Sequence, residues 1–275
     1  MFSRIIVSTG CNTEYLFRKC KKKAIILYKL LKEKMQQKTR GIVLANFAYN
    51  DKYSIVHIFT EDSGRSVYML PKKSSRKQAL SKALFMPLNL LELQTSYSGK
   101  REIYPLKEAR SLYPLHHVYL SPAKSALIFF ITEILTKVLR ETVADRSLFR
   151  YLEKSIIYLE ETEQNVANFH IFFLFRLTRF LGFPPNLHND QGTPLFDMIE
   201  GHFISRPPIH THFLSSEEGK ILFLLDKMDF SNFSLFKFSK NERETILRRI
   251  IEYFQLHIPG FSELKTLPVL QEIFS

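Results

Sequence analysis

The alternation of apolar and polar positions changes character along the chain. From Thr39 it has the two-residue period of strands. Residues 40–49 are rich in β-branched and aromatic side chains and end at Asn50-Asp51-Lys52, a turn signal. Residues 53–60 (Tyr-Ser-Ile-Val-His-Ile-Phe-Thr) predict a second strand, Glu61-Asp62-Ser63-Gly64 a turn, and residues 65–70 a third strand. Pro71 and the run Lys72-Lys73-Ser74-Ser75-Arg76-Lys77 break the sheet, and a short helical stretch follows to about Leu84. Residues 88–97 and 100–106 predict two more strands around the turn Ser98-Gly99. Five short strands with a helix between the third and fourth is the order of an OB-fold barrel, although other small barrels share it.

After Pro114 the period becomes helical. Ser121-Pro122 supplies an N-cap and a proline at the first helical position for a segment reaching about Thr142. Its apolar residues Leu127, Phe130, Ile131, Ile134, Leu135 and Val138 share one face. Residues 148–161, 166–181 and 217–225 predict further helices, the second closed by Gly182 and Pro184-Pro185. Ser239 followed by Glu242 is a capping box that opens a helix to His257, and residues 268–274 predict a last short one. Residues 183–214 show no period and read as a loop-rich insert. The expected class is α+β: an N-terminal OB-fold barrel over residues 35–110, then an all-α helical domain over 111–275.

Charge sharpens this division. The 275-residue chain carries a formal net charge of +12. Residues 1–34 hold nine Lys/Arg against two acids, residues 35–110 thirteen against six, and residues 111–275 seventeen against nineteen. The whole basic excess therefore lies in the first 110 residues, which points to nucleic acid or an anionic membrane as partner; a generic solvated surface has the same composition. No window resembles a membrane-spanning helix. Both cysteines, Cys11 and Cys20, fall in residues 1–34, too few for a disulfide framework, so a reducing compartment is expected. This leader could be a basic amphipathic helix, a targeting peptide, or an extension upstream of a start at Met35.

Motifs for bond chemistry are missing. There is no Gly-x-Gly-x-x-Gly, Walker A, His-Glu-x-x-His or Gly-x-Ser-x-Gly sequence, and no carboxylate cluster with metal-nuclease spacing. His188, His202, His210 and His212 are the metal-like group in the insert. Structural zinc prefers four ligands including cysteine, and residues 35–275 contain none, so solvated or packed histidines are expected. The cationic clusters at 72–77 and 100–101 are interleaved with Tyr49, Tyr53, Phe59, Tyr68 and Tyr97, which could stack on bases or form core.

The sequence resembles the bacterial recombination-repair mediator family RecO. The resemblance opens with Met35-Gln36-Gln37-Lys38-Thr39-Arg40-Gly41-Ile42-Val43-Leu44, continues through Asp51, residues 54–60 and Gly64-Arg65, and includes Arg176 before Leu181-Gly182-Phe183. It closes with Leu247-Arg248-Arg249, Tyr253, His257-Ile258-Pro259-Gly260-Phe261 and Leu264-Lys265-Thr266-Leu267. It spans residues 35–275 and is most like members from Bacteroidetes. It favours Met35 as the start, which would leave a net charge of +5; the rival is that residues 1–34 are a genuine, disordered basic arm that adds DNA affinity.

The resemblance implies a non-enzymatic, cytoplasmic, nucleoid-associated protein with no cofactor and no membrane partner. Such a protein binds single- and double-stranded DNA and anneals complementary strands. With RecR it helps load RecA on DNA coated by single-strand-binding protein, whose acidic C-terminal tail it also binds. Members often carry a zinc finger; this chain reads His188-Asn189-Asp190-Gln191-Gly192 where they place Cys-x-x-Cys-Gly, so no zinc is expected. The DNA-binding residues expected on the barrel are Lys38, Arg40, Lys52, Arg65, Lys72, Lys73, Arg76, Lys100 and Arg101. Six phenylalanines lie between 169 and 183, and Phe172 with Arg176 and Arg179 is the candidate for the acidic tail; capping or pairing within the fold is the alternative role for the two arginines. The rival classes are a metal-dependent nuclease and a membrane-surface protein using the leader.

Overall fold

The computed structural model describes residues 36–72, 82–96, 103–139, 143–188 and 194–274. Residues 1–35, 73–81, 97–102, 140–142, 189–193 and 275, with the expectations placed on them, lie outside these residues.

Five strands close into a barrel: β1 (Gln36–Ala48), β2 (Tyr53–Thr60), β3 (Gly64–Pro71), β4 (Leu90–Ser96) and β5 (Ile103–Tyr113), in the order β1-β2-β3-β5-β4. Within the barrel β3 and β5 pair in parallel, and the other neighbours pair antiparallel. This is an OB-like barrel, and a single turn of 3-10 helix (Lys82–Phe85) lies between β3 and β4. The long β1 closes it by serving two neighbours: its first half pairs with β4 (Gln36↔Ser96 to Ile42↔Leu90) and its second with β2 (Gly41↔Thr60 to Ala48↔Ser54). The hand-over falls at Gly41, with a bulge just beyond, between Val43 and Ala45. A Cβ on Gly41 would stand 2.5 Å from Ile58 Cγ2 and 2.9 Å from Leu93 Cδ1. Strong coiling of a barrel strand therefore explains the glycine of the Thr-Arg-Gly-Ile-Val segment. Val43, Val56, Ile58, Tyr68, Leu70, Phe85, Leu91, Leu93 and Leu106 fill the interior.

The rest is mainly helical: α1 (His117–Leu120), α2 (Pro122–Val138), α3 (Arg146–Glu161), α4 (Phe169–Leu181), α5 (Ser216–Lys227), α6 (Lys240–His257) and α7 (Leu267–Ile273). Local sequence sets the ends. Ser121 caps α2 beside Pro122, Asp145 accepts the Ser147 and Leu148 N–H groups at the start of α3, and Ser215/Glu218 and Ser239/Glu242 form capping boxes on α5 and α6. Gly182, at φ +86°, ends α4 in the left-handed conformation a side chain would resist. Helix α4 is largely enclosed by its neighbours, with Phe169, Phe172, Phe173 and Phe175 all buried and Arg179 toward solvent near its C-terminus.

One finding departs from the all-α expectation. The insert holds a three-stranded sheet of β6 (Leu195–Asp197), β7 (His202–Ile204) and β8 (Phe213–Leu214), ordered β7-β6-β8. Strands of two and three residues are too short to show a period. Phe196, Met198 and Leu214 pack with Tyr253 of α6 as a small separate core, so the insert is anchored by apolar contact. The barrel-region residues Ile42, Leu44, Phe59, Leu88 and Leu90 also belong to the helical core, which covers this part of the barrel's outer surface.

Candidate nucleic-acid interface

The β1–β2 hairpin is shaped by Asn50. Its Oδ1 accepts the N–H groups of Lys52 and Tyr53, each at 2.9 Å, an Asx turn that fixes the hairpin end. The N–H groups of Tyr49 and Asn50 both donate to the Tyr53 carbonyl at 3.1 Å, which sets Tyr49 opposite Tyr53. The Lys72 N–H donates to the Lys52 carbonyl at 2.8 Å. Lys52 and Lys72, twenty positions apart, thus meet backbone to backbone, and both are exposed. Lys38 is exposed on β1 opposite Gln94. Lys73, Arg76, Lys100 and Arg101 lie outside the described residues.

The two expected arginines have other partners. Arg40 donates through Nε and Nη2 to both oxygens of Glu61 (2.8 and 3.0 Å) and through Nη1 to Glu153 of α3 at 2.6 Å, with its guanidinium over the Phe149 ring. Hydrogen bonding to Glu61 raises the Arg40 pKa further, and the same bonds depress that of Glu61. Next to this, Asp62 accepts from Thr39 and from Arg146 of α3. Arg65 donates to the carbonyl of Thr136 on α2 at 3.0 Å, and its Nη2 lies 2.7 Å from His57 Nδ1. Burial, and then the charge of Arg65, lower the His57 pKa, so a neutral ring accepts from the guanidinium. Arg40 and Arg65 therefore tie the barrel to the helices. Sequence spacing gave no hint of partners as far away as Glu153.

The expected aromatics divide. Phe59 and Tyr68 are buried, Tyr97 is outside the described residues, and Tyr49 and Tyr53 are 63% and 38% exposed. Phe47, which strand alternation alone does not single out, is 55% exposed.

In the helical region the Phe172 expectation meets a correction. Phe172 is 2% exposed, stacked on Phe233 and edge-on to Phe230, so its ring is core and forms no open pocket. Arg176 donates to the carbonyls of Asp226 and Met228 and caps the C-terminus of α5. Arg179 pairs with the Asp226 carboxylate while half its side chain meets solvent.

The insert histidines take separate partners: His210 lies 3.3 Å from Asp197, and His212 lies 2.8 Å from Glu252 of α6. Among the described residues no group of three or more His, Cys, Asp or Glu side chains is placed to hold a metal ion, so these donors do not fit a zinc site. Among the same residues no helix is long and apolar enough to cross a membrane.

An OB-like barrel with lysines and aromatics at one hairpin end, docked on a mainly helical region, defines a barrel-plus-helix protein. The chain matches the family "Recombination protein O N terminal" over residues 35–115 and "Recombination protein O C terminal" over 120–268. It is 42% identical over 240 residues to the DNA repair protein RecO of Azobacteroides pseudotrichonymphae genomovar. CFP2, covering 87% of this chain and 100% of that one. It is 40% identical over 241 residues to the DNA repair protein RecO of Phocaeicola vulgatus (88% of this chain, 100% of that one). To that of Porphyromonas gingivalis it is 36% identical over 241 residues (86% and 98%). The chain belongs to the RecO family of DNA repair and recombination proteins.

Proposed function

We propose that the protein binds single- and double-stranded DNA through its barrel and anneals complementary strands. With RecR it helps load RecA on DNA coated by single-strand-binding protein. The observation that carries the DNA-binding part is the pairing of exposed Lys52 and Lys72 at the hairpin end of a segment, residues 35–110, whose net charge is +7. Lysines there neutralise phosphates and release counterions, giving affinity that is sequence-tolerant and salt-sensitive. Annealing then needs no bond chemistry, because a cationic surface screens two strands from each other and holds them close.

Lys38, Lys73, Arg76, Lys100 and Arg101 complete the proposed phosphate-binding set. Arg40 and Arg65 act on DNA only by orienting the barrel. For the acidic tail of single-strand-binding protein, Arg179 is the proposed cation, since it is half exposed while Arg176 is spent on backbone carbonyls. An unchanged tail-peptide titration with Arg179→Ala would remove that assignment.

The decisive experiment is annealing of complementary labelled oligonucleotides with and without single-strand-binding protein. Accelerated annealing with intact strands is expected. Magnesium-dependent loss of the labelled strands would favour a nuclease instead.

A further inference from the structure

We propose that His57 is a proton-operated catch on the joint between the barrel and α2, opened when its ring takes up a proton and most readily when a DNA phosphate lies beside it. The trigger rests on the DNA-binding reading above, whereas the catch itself rests on contacts within the chain. Val56 and Ile58 point into the barrel, so His57 between them points outward, where it is partly exposed. Arg65 stands on the neighbouring strand β3 and reaches in two directions. Its Nη1 donates to the Thr136 carbonyl in the last turn of α2 at 3.0 Å, while its Nη2 and Nε lie 2.7 and 3.3 Å from His57 Nδ1. The histidine ring thus steers the guanidinium onto α2. Thr136 Oγ1 also donates to the Leu44 carbonyl of β1 at 3.4 Å, so this turn of α2 meets the barrel at a second point.

The chemistry of the ring makes this contact conditional. A guanidinium has donors only, so Nδ1 must accept, which places the proton of the neutral ring on Nε2. A protonated ring has a donor at both nitrogens. It loses the hydrogen bond to Arg65 and sets a second positive charge against the first. Proton uptake and the closed joint therefore exclude each other, and by linkage each opposes the other to the same extent. Among the described residues, the ring faces Arg65 from β3, Phe47 edge-on from β1 at 5.7 Å, and Thr136 of α2 beyond the guanidinium; Arg65 is the charged one. Burial, and then that charge, hold the His57 pKa down, which keeps the catch closed. A phosphate beside the partly exposed ring would oppose both effects and raise its proton affinity. The tie to α3 responds differently. Arg146 of α3 pairs with Asp62, and hydrogen bonding to Arg146 pushes the Asp62 pKa lower still, so this tie survives mild acid. The α2 tie opens first, with the barrel still held on α3.

The test uses the full-length protein and its His57→Gln variant, whose amide oxygen can accept from Arg65 but takes up no proton. Amide hydrogen exchange, corrected for its intrinsic pH dependence, is followed over residues 132–138 with α3 as internal reference. Lowering the pH from 8 to 5.5 should reduce protection of that α2 segment severalfold relative to α3 in wild type and leave it unchanged in His57→Gln. At pH 7 an oligothymidylate of about 20 residues should have the same effect, again in wild type only. Wild-type affinity for this probe should also rise on acidification more steeply than the variant's, by up to about tenfold per pH unit for one linked proton. Equal protection in the two proteins at both pH values would overturn the catch. Protection that falls with pH in wild type but ignores oligothymidylate would keep the catch and overturn the trigger. A protein that binds no oligothymidylate would instead sink the DNA-binding reading and the trigger together, while the exchange comparison without DNA still decides the catch.

Discussion

Barrel and helical region treat aromatic side chains in opposite ways. At the barrel's hairpin end Phe47, Tyr49 and Tyr53 are left in solvent, whereas along α4 Phe169, Phe172, Phe173 and Phe175 are all buried. The difference is geometric. A barrel strand has one face toward a small interior, and its other face is covered only where another element docks. Helix α4 is enclosed over most of its length, and a helix with so wide an apolar surface has to be. Clustered aromatics therefore mark core along α4 and surface at the barrel's hairpin end, while Phe59 and Tyr68 of the barrel are buried. Arginine and lysine split along the same line. Arg40 and Arg65 turn toward the helices and are paired, while Lys38, Lys52 and Lys72 face water.

The strongest test of this contrast compares two phenylalanine truncations by urea unfolding. Phe172→Ala removes a fully packed ring and should cost about 3–5 kcal/mol. Phe47→Ala should change stability by no more than about 0.5 kcal/mol. Comparable losses would mean that the hairpin end is covered in solution and the contrast is false.

Next in size is Gly41→Val. The new side chain would meet Ile58 and Leu93 inside the barrel, and overpacking of a closed interior costs about 1–3 kcal/mol or more. Circular dichroism should show loss of strand signal ahead of helix signal. Simultaneous loss of both would show instead that the shared core, through Ile42 and Phe59, couples the two regions completely.

Much of this was legible in the sequence, and the omissions have definite causes. Strand β2 falls on the expected residues 53–60 because turn signals flank it closely at Asn50 and at Glu61-Asp62. Strand β5 runs on to Tyr113, well past the expected end at 106, because the polar stretch Lys107-Glu108-Ala109-Arg110 is held by pairing to β4 and not by burial. Both capping boxes sit at helix starts, although only the one at Ser239 was expected; the Ser215–Glu218 pair has the same spacing. The three-stranded sheet of the insert had no readable period. The roles of Arg40 and Arg65 were illegible for another reason: a cation's partner at long sequence separation is decided by docking, and composition carries no trace of it.

A smaller effect separates the regions by pH. His170 of α4 is buried between Phe130 and Phe274 with no partner for Nδ1 among the described residues, and burial, helped by Arg243, pushes its pKa down to about 3. In the unfolded chain an ordinary histidine binds a proton below about pH 6.5. The native ring stays neutral there, so the unfolded state gains the proton and stability falls with pH, by up to about 1.4 kcal/mol per unit between those two values. Between pH 6.5 and 5 the loss attributable to this ring is about 2 kcal/mol. The depressed carboxylates Glu61, Asp62 and Glu160 release their contributions at lower pH, below the ordinary carboxylate range. His170→Phe should flatten the stability profile above pH 5. A profile unchanged by that substitution would place the acid sensitivity elsewhere, with His57 of the barrel the next group to replace.

The smallest expected effect tests the division among the cations themselves. Arg40→Gln breaks the contacts to Glu61 and Glu153, but the site is partly open to water, so the loss should be about 1 kcal/mol. Its influence on DNA affinity should be slight, and the slope of log affinity against log salt should stay at the wild-type value, because no phosphate contact is removed. Lys72→Ala should do the reverse: stability within about 0.5 kcal/mol of wild type, and a slope shallower by about 0.7–0.9. A shallower slope for Arg40→Gln would show that the guanidinium leaves its carboxylates for phosphate when DNA binds. The barrel would then have to loosen from α3 in the bound state, and the strut and the binding surface would be one device.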